Sequence, residues 1–322
     1  MLKTLAAAAI AALAALASSA AAEEELVKVR FVTDWKAQAE HGGFYQAKAK
    51  GIYEKYGLDV EIIQGGPSVN VPLLLGSGQA DFAIGSNSFI PLNMIAEDVP
   101  AVAVAAIFQK DPQVLITHPR SDIAKIADMK GKPIMISDAA TGAYWIWLKA
   151  SFGFDDSQIR KYTFNLAPFL ADETAIQQGY ITSEPYQIEK EGGFKPQIFL
   201  LADEAYPSYA NLILATDDIA ATKPLVVAKF VKASIEGWQD YLTGDPAPAN
   251  ALIKADNPEM TDDILVQAIV KMNDYKLATA GDVAIGTMTD ERWSEFFTVM
   301  SANGVYDPKL DWKRAYTTVF LQ

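Results

Sequence analysis

The side chains able to do chemistry in this chain are few. Its 322 residues include no Cys and two His, His41 and His118. Without a thiol there is neither a thiol nucleophile nor a disulfide framework. An imidazole near neutral pH can both donate and accept a hydrogen bond. As a metal ligand His41 lacks partners. His118 stands far along the chain beside Pro119, where it reads as a hinge residue, and adjacent Glu40 cannot share a helix face with His41. There is no Gly-x-Ser-x-Gly elbow, no phosphate-cradling Gly-x-x-x-x-Gly-Lys loop and no His-Glu-x-x-His helix. The 40 acidic residues leave carboxylate pairs open, but none is singled out. No catalytic residue, metal or cofactor is therefore assigned, and the polar groups point to binding.

The stretch Thr33 to Tyr45 carries Trp35, His41, a Gly pair and Tyr45. It follows an apolar run and precedes a helical pattern, which is how an open α/β sheet presents side chains at a strand's carboxyl end. Three further loops have the same strand-to-helix position: Gly66–Asn70 with Ser68 and Asn70, Gly85–Phe89 with Ser86 and Asn87, and Asp138–Gly142 with Asp138 and Thr141. Helix starts present free N–H groups that suit a polar ligand, or serve only as ordinary caps. Four such loops around one cleft favour binding. Trp35, Tyr144, Trp145, Tyr186, Tyr206 and Tyr209 offer flat rings with a polar edge, able to sandwich a flat ligand. Trp147 reads as core; Trp145 and Phe108 could be core or cleft. Glu184 precedes Pro185, which holds its backbone extended. Its carboxylate could accept from an amine or amidine-like edge, or be a solvated surface acid.

The elements that must position these residues alternate. Val27 to Thr33 has strand period, and Gly43 to Tyr56 has helix period ending at Gly57. Leu58–Gln64, Ala80–Gly85 and Ala101–Phe108 read as strands; Ser68 reads as the cap of a helix to Leu75, and Phe89–Ala96 as a helix. Such alternation predicts a parallel sheet with helices on both faces. A second run follows: helix Asp122–Met129, strand Pro133–Ser137, helix Gly142–Phe152 capped by Thr141, strand Tyr162–Asn165, a helix near Leu170–Gln178 and strand Ile198–Leu201. From Lys223 onward the chain is mostly helical, with Asp262 and Asp263 suiting the dipole of a helix capped by Thr261. The economical arrangement is a second α/β lobe inserted in the first, joined by extended crossings near Gln113–Pro119 and Tyr206–Ala215. That makes 23–115 and 210–322 lobe 1 and 116–209 lobe 2.

Lys3, the Ala/Leu-rich run to Ala17 and Ala20-Ala21-Ala22 have the pattern of a secretory signal peptide over 1–22, and the run is short for a membrane span. With no Cys after it, lipoprotein attachment has no acceptor. The net charge of −13 argues against nucleic-acid or anionic-membrane partners. Export and absent Cys point to the periplasm.

These features carry a resemblance. Asp34-Trp35, His41, Gly42-x-x-Tyr45 and "AKAKGIYEKYGLDVEI" resemble the opening of the thiamine-pyrimidine-precursor-type substrate-binding proteins of ABC importers. That family also contains the fungal pyrimidine synthase. "LLLGSGQADFAIGS" and "IADMKGKPIMIS" fit it too, and the chain is similar, more distantly, to nitrate, sulfonate and taurine receptors. The resemblance implies a two-lobed, type II periplasmic binding protein fold with two crossover strands and a helical C-terminal part. It implies a flat heterocycle held between rings, with Trp35 as the platform, and an inner-membrane permease as partner of a monomeric receptor. His41 falls where the synthase has the histidine it consumes, but the synthase's Cys-rich motif is absent, which favours transport. The expected ligand set is Trp35, His41, Tyr45, Ser68, Asn70, Ser86, Asn87, Phe108, Asp138, Thr141, Tyr144, Glu184, Tyr186 and Tyr209. The alternatives are a receptor for a small oxyanion and a synthase-like enzyme using His41.

Overall fold

A computed structural model describes residues 25–321; the expected signal segment lies outside them. Ten strands form two five-stranded sheets. In chain order they are β1 (Val27–Val32), β2 (Leu58–Ile63), β3 (Phe82–Asn87), β4 (Ala101–Phe108), β5 (Gln113–Thr117), β6 (Ile134–Ile136), β7 (Ile159–Lys161), β8 (Ile176–Tyr180), β9 (Gln197–Leu200) and β10 (Ala210–Thr216). The first sheet has the order β2-β1-β3-β10-β4 and the second β7-β6-β8-β5-β9. The chain passes from one to the other at 109–112 and returns at 201–209. The two-sheet α/β architecture is that of a type II periplasmic binding protein.

The sheets are mixed, where a purely parallel arrangement is expected from the alternation. β10 runs antiparallel to β3 and β4, and β5 antiparallel to β8 and β9. Both exceptions are the strands next to the crossings. A strand arriving from the other sheet enters from the opposite end, so its direction is set by the connection and not by a βαβ unit.

Five local expectations change. The helix expected over Gly43–Tyr56 is two, Gly42–Ala49 and Ile52–Lys55, broken at Gly51, whose φ of 67° is left-handed. The segment ending at Gln178 is strand, not helix. Gln177 and Gln178 sit in β8 opposite Ile116 and Leu115 of β5, and cross-strand pairing outweighs the helix preference of Gln. The cap of helix Val71–Gly76 is Asn70, whose side chain accepts from Leu73 N–H at 3.0 Å; Ser68 is exposed in the preceding turn. Within Asp122–Met129 only the 3-10 turn Ile126–Met129 forms, and the strand expected over Tyr162–Asn165 is Ile159–Lys161.

The helix Pro224–Thr243 packs its apolar face on helix Gly42–Ala49. Phe230 fills the space under the first sheet, stacked 4.1 Å from Phe82 and edge-on to Phe31 at 5.3 Å. The close crossing explains the Gly pair: a Cβ on Gly43 would lie 2.1 Å from the Trp238 ring. Trp145 and Trp147 are both buried core, Trp145 donating from its indole N–H to Asp156 at 3.0 Å. Among the described residues no helix is long and apolar enough to cross a membrane.

Candidate functional site

The site is assembled at the carboxyl edge of the first sheet. After β1, the buried Thr33 hydroxyl donates to Trp35 C=O at 2.6 Å and accepts from Gly65 N–H at 3.0 Å. This clamps the loop holding Asp34 and Trp35 against the end of β2. The 3-10 turn Ala39–His41 then carries Glu40 and His41 inward, both buried. His41 Nε2 lies 3.1 Å from Asp34 Oδ1, while Ser86, at the end of β3, donates to Asp34 Oδ2 at 2.5 Å. Asn211, near the start of β10, donates from Nδ2 to Glu40 C=O at 2.6 Å.

These residues surround a cavity between the two sheets. Asp34, Gln38, Glu40, His41, Ser86 and Asn211 give its polar wall, and Ile84, Phe108, Pro112 and Ala210 its apolar one; Tyr180 of β8 closes it from the second sheet. None of them is Lys or Arg. The space left is about 20 Å³, room for one water molecule, so a larger ligand needs the sheets to part. Burial pushes the Glu40 carboxyl above its ordinary range, with the hydrogen bond from Thr182 pulling the other way.

The second sheet's side is held against this wall at several points. Thr182 Oγ1 donates to Glu40 Oε1. Tyr186 and Lys190, on helix Glu184–Gly192, both donate to Asp263 on helix Asp262–Asp274, at 2.6 and 2.7 Å. Phe164 lies on Trp35, ring centroids 4.9 Å apart. Behind the cavity, Arg292 of helix Asp290–Ala302 donates to Pro207 C=O and Ser208 C=O and lies 4.1 Å above the Tyr209 ring, pinning the returning crossing. Asp111, in the outgoing crossing, is buried and accepts from Gln113 N–H at 2.9 Å. Among the described residues no group of three or more His, Cys, Asp or Glu could hold a metal ion.

Of the expected ligand set, the structure brings His41, Ser86 and Phe108 to the cavity wall; Trp35, next to the lining residue Asp34, lies against Phe164. The rest lie elsewhere. Tyr45 is buried under helix Ala247–Asp256, its hydroxyl on Asp256 at 2.7 Å. Asn70 and Asn87 accept from backbone N–H groups of Leu73 and Phe89, and Ser68 is exposed. Asp138 is exposed and paired with Lys161; Thr141 is the last residue of the short helix Asp138–Thr141, not the cap of the next, and donates to Asp138 C=O. Tyr144 is buried on Gln178. Glu184 begins a helix and is not extended. Its carboxylate accepts from Tyr180 N–H at 2.8 Å and from the Tyr162 hydroxyl at 3.3 Å. Tyr186 belongs to the contact with Asp263, and Tyr209 to the crossing, its hydroxyl accepting from Thr289 N–H at 3.0 Å. The missed residues are Asp34, Gln38, Glu40, Tyr180 and Asn211. For Asp34 and Glu40 a signal existed, since both flank the aromatic and His of the opening stretch; nothing in the sequence marks Asn211.

Comparison with known proteins agrees with this architecture. A family model described as NMT1/THI5-like matches residues 38–249. The riboflavin-binding protein RibY of Chloroflexus aurantiacus is 22% identical over 316 residues, covering 93% of this chain and 88% of the relative. The formylaminopyrimidine-binding protein of Halalkalibacterium halodurans is 25% identical over 251 residues, 73% of this chain and 72% of the relative. Among solved structures, the alkanesulfonate-binding protein SsuA of Xanthomonas axonopodis pv. citri superposes with a TM-score of 0.67 over 92% of this chain and 99% of that one, at 12% identity.

Proposed function

The chain belongs to the NMT1/THI5-like family, and from its cleft we propose that it is the solute-binding receptor of an ABC importer, carrying a small flat heterocycle such as a thiamine pyrimidine precursor. The observation that carries this reading is the chemistry of the cavity wall. Asp34, Glu40, His41, Ser86 and Asn211 face the cavity, and no Lys or Arg lines it. A wall with two carboxyl groups and no cation disfavours an oxyanion and suits a neutral or cationic ring bearing N–H donors. Trp35, after β1, and Phe164, after β7, supply flat rings from the two sheets. Two relatives are named for heterocycles, riboflavin and formylaminopyrimidine.

On this reading the two sheets are the cores of two lobes that part about the crossings at 109–112 and 201–209, admit the ligand and close over it. The closed form docks on an inner-membrane permease; the receptor is exported to the periplasm and works as a monomer. His41 is a contact and is not consumed. Its peptide mass stays unchanged after incubation with pyridoxal phosphate and iron, whereas loss of imidazole mass would mark a synthase. Thermal-shift measurements with 4-aminopyrimidines, riboflavin, an alkanesulfonate and nitrate test the ligand class. A heterocycle at a hundred times its Kd stabilises by about 2.7 kcal/mol. Stabilisation by the sulfonate or nitrate alone overturns the reading.

A further inference from the structure

The inference rests on the heterocycle reading and narrows it to one functional group. His41 and Asn211 both line the cavity, 2% and 6% exposed, and each carries a buried polar atom without a partner, His41 Nδ1 and Asn211 Oδ1. The fold fixes the character of both. Asp34 has its two oxygens on His41 Nε2 and the Ser86 hydroxyl. A carboxylate only accepts, so Nε2 carries the hydrogen, and in the neutral form of the ring Nδ1 is an acceptor. Glu40 C=O also only accepts, so the Asn211 end facing it is the NH₂ and the free end is the carbonyl oxygen. Two acceptors are thus left without a protein partner beside one cavity, and whatever enters it must supply the donors.

Asn211 is held there by backbone geometry. Its φ is 50°, a left-handed value that Asn tolerates better than most residues, and the β10 register with β3 runs from Ala210–Asn87 to Leu212–Gly85 across it. A non-glycine residue in that region inside a strand carries strain, and such strain gathers at binding sites.

We infer that Asn211 is a specificity-determining residue, and that Asn211 Oδ1 and His41 Nδ1 together receive a primary amino group on the ligand ring. One such group presents two N–H donors, one for each acceptor. A ring carrying a carbonyl or a methyl at that place leaves both acceptors buried and unpaired.

The test compares 4-amino-2-methylpyrimidine with 2,4-dimethylpyrimidine, in which methyl replaces the amine at nearly equal size. Calorimetry on the wild-type protein is expected to show the amine bound at least about tenfold more tightly. Asn211→Gly keeps the left-handed backbone and removes Oδ1; it is expected to lower that preference to less than about threefold. Circular dichroism and a melting curve confirm that the variant is folded, and the wild-type comparison stands whether or not it is. Equal binding of the two pyrimidines by the wild type overturns the inference while leaving the heterocycle reading intact. So does tight binding of riboflavin, which has no primary amine, with neither pyrimidine bound. Binding of no heterocycle overturns both.

Discussion

Trp35 and Phe164 meet across the cleft, their ring centroids 4.9 Å apart and their planes at 48°. Trp35 follows β1 of the first sheet; Phe164 follows β7 of the second, is half exposed, and has a left-handed φ of 60°. Tyr162 supports Phe164 at 5.2 Å. The ring that meets Trp35 from the second sheet's side is a phenylalanine. Phe164→Ala is expected to weaken pyrimidine binding about three- to tenfold, with a melting temperature close to wild type, since the ring is half exposed. Trp35→Ala is expected to weaken it further. Titration calorimetry on both variants reads this directly, and an unchanged affinity in both would remove the aromatic pair from the site.

Thr182 holds a buried carboxyl. Its hydroxyl donates to Glu40, and Glu40 is 6% exposed. Thr182→Val keeps the shape and deletes the donor, leaving Glu40 short of a partner. A loss of about 1–3 kcal/mol is expected in urea denaturation, together with a more open average form by small-angle scattering. Glu40→Gln keeps an acceptor for Thr182 and is expected to cost less than Thr182→Val.

Asp111 makes the crossing sensitive to pH. Burial raises its carboxyl from 3.8 to about 7, against the opposing pull of Arg292 and the hydrogen bond from Gln113 N–H. The folded protein therefore holds this proton more tightly than the unfolded chain. The stabilisation is complete below the unfolded value and is lost as pH rises from 3.8 to about 7, a difference of roughly 4 kcal/mol. Asp111→Asn keeps an acceptor for Gln113 and cannot ionise. Melting curves from pH 4 to pH 8 are expected to show the variant gaining on wild type as pH rises; parallel curves would place the titration elsewhere.

The contact between helices Gly42–Ala49 and Pro224–Thr243 has no room for a side chain at Gly43. Gly43→Ala is expected to destabilise by about 1–3 kcal/mol through overpacking, although alanine favours helix. A chemical denaturation curve settles the sign. A stabilised variant would mean that Trp238 moves freely.

The sequence by itself determined the α/β class, the alternation of elements, the long C-terminal helices and the stretch that opens the site. Those follow from periodicity, Gly and Pro punctuation, and the Trp35–His41 segment, all local properties of the chain. It could not show where capping residues spend their polar groups. Asn70 and Asn87 have the types a ligand contact needs, yet each satisfies a backbone N–H beside it. Glu184 is spent likewise, on Tyr180 N–H. Only the tertiary structure decided which acceptors stay free. Asn211 lies 170 positions beyond His41, and the two reach one cavity because β10 returns from the second sheet to run antiparallel beside β3. A hydrogen bond is satisfied or left open by whatever the fold brings within about 3 Å, and that distance is not a property of sequence spacing.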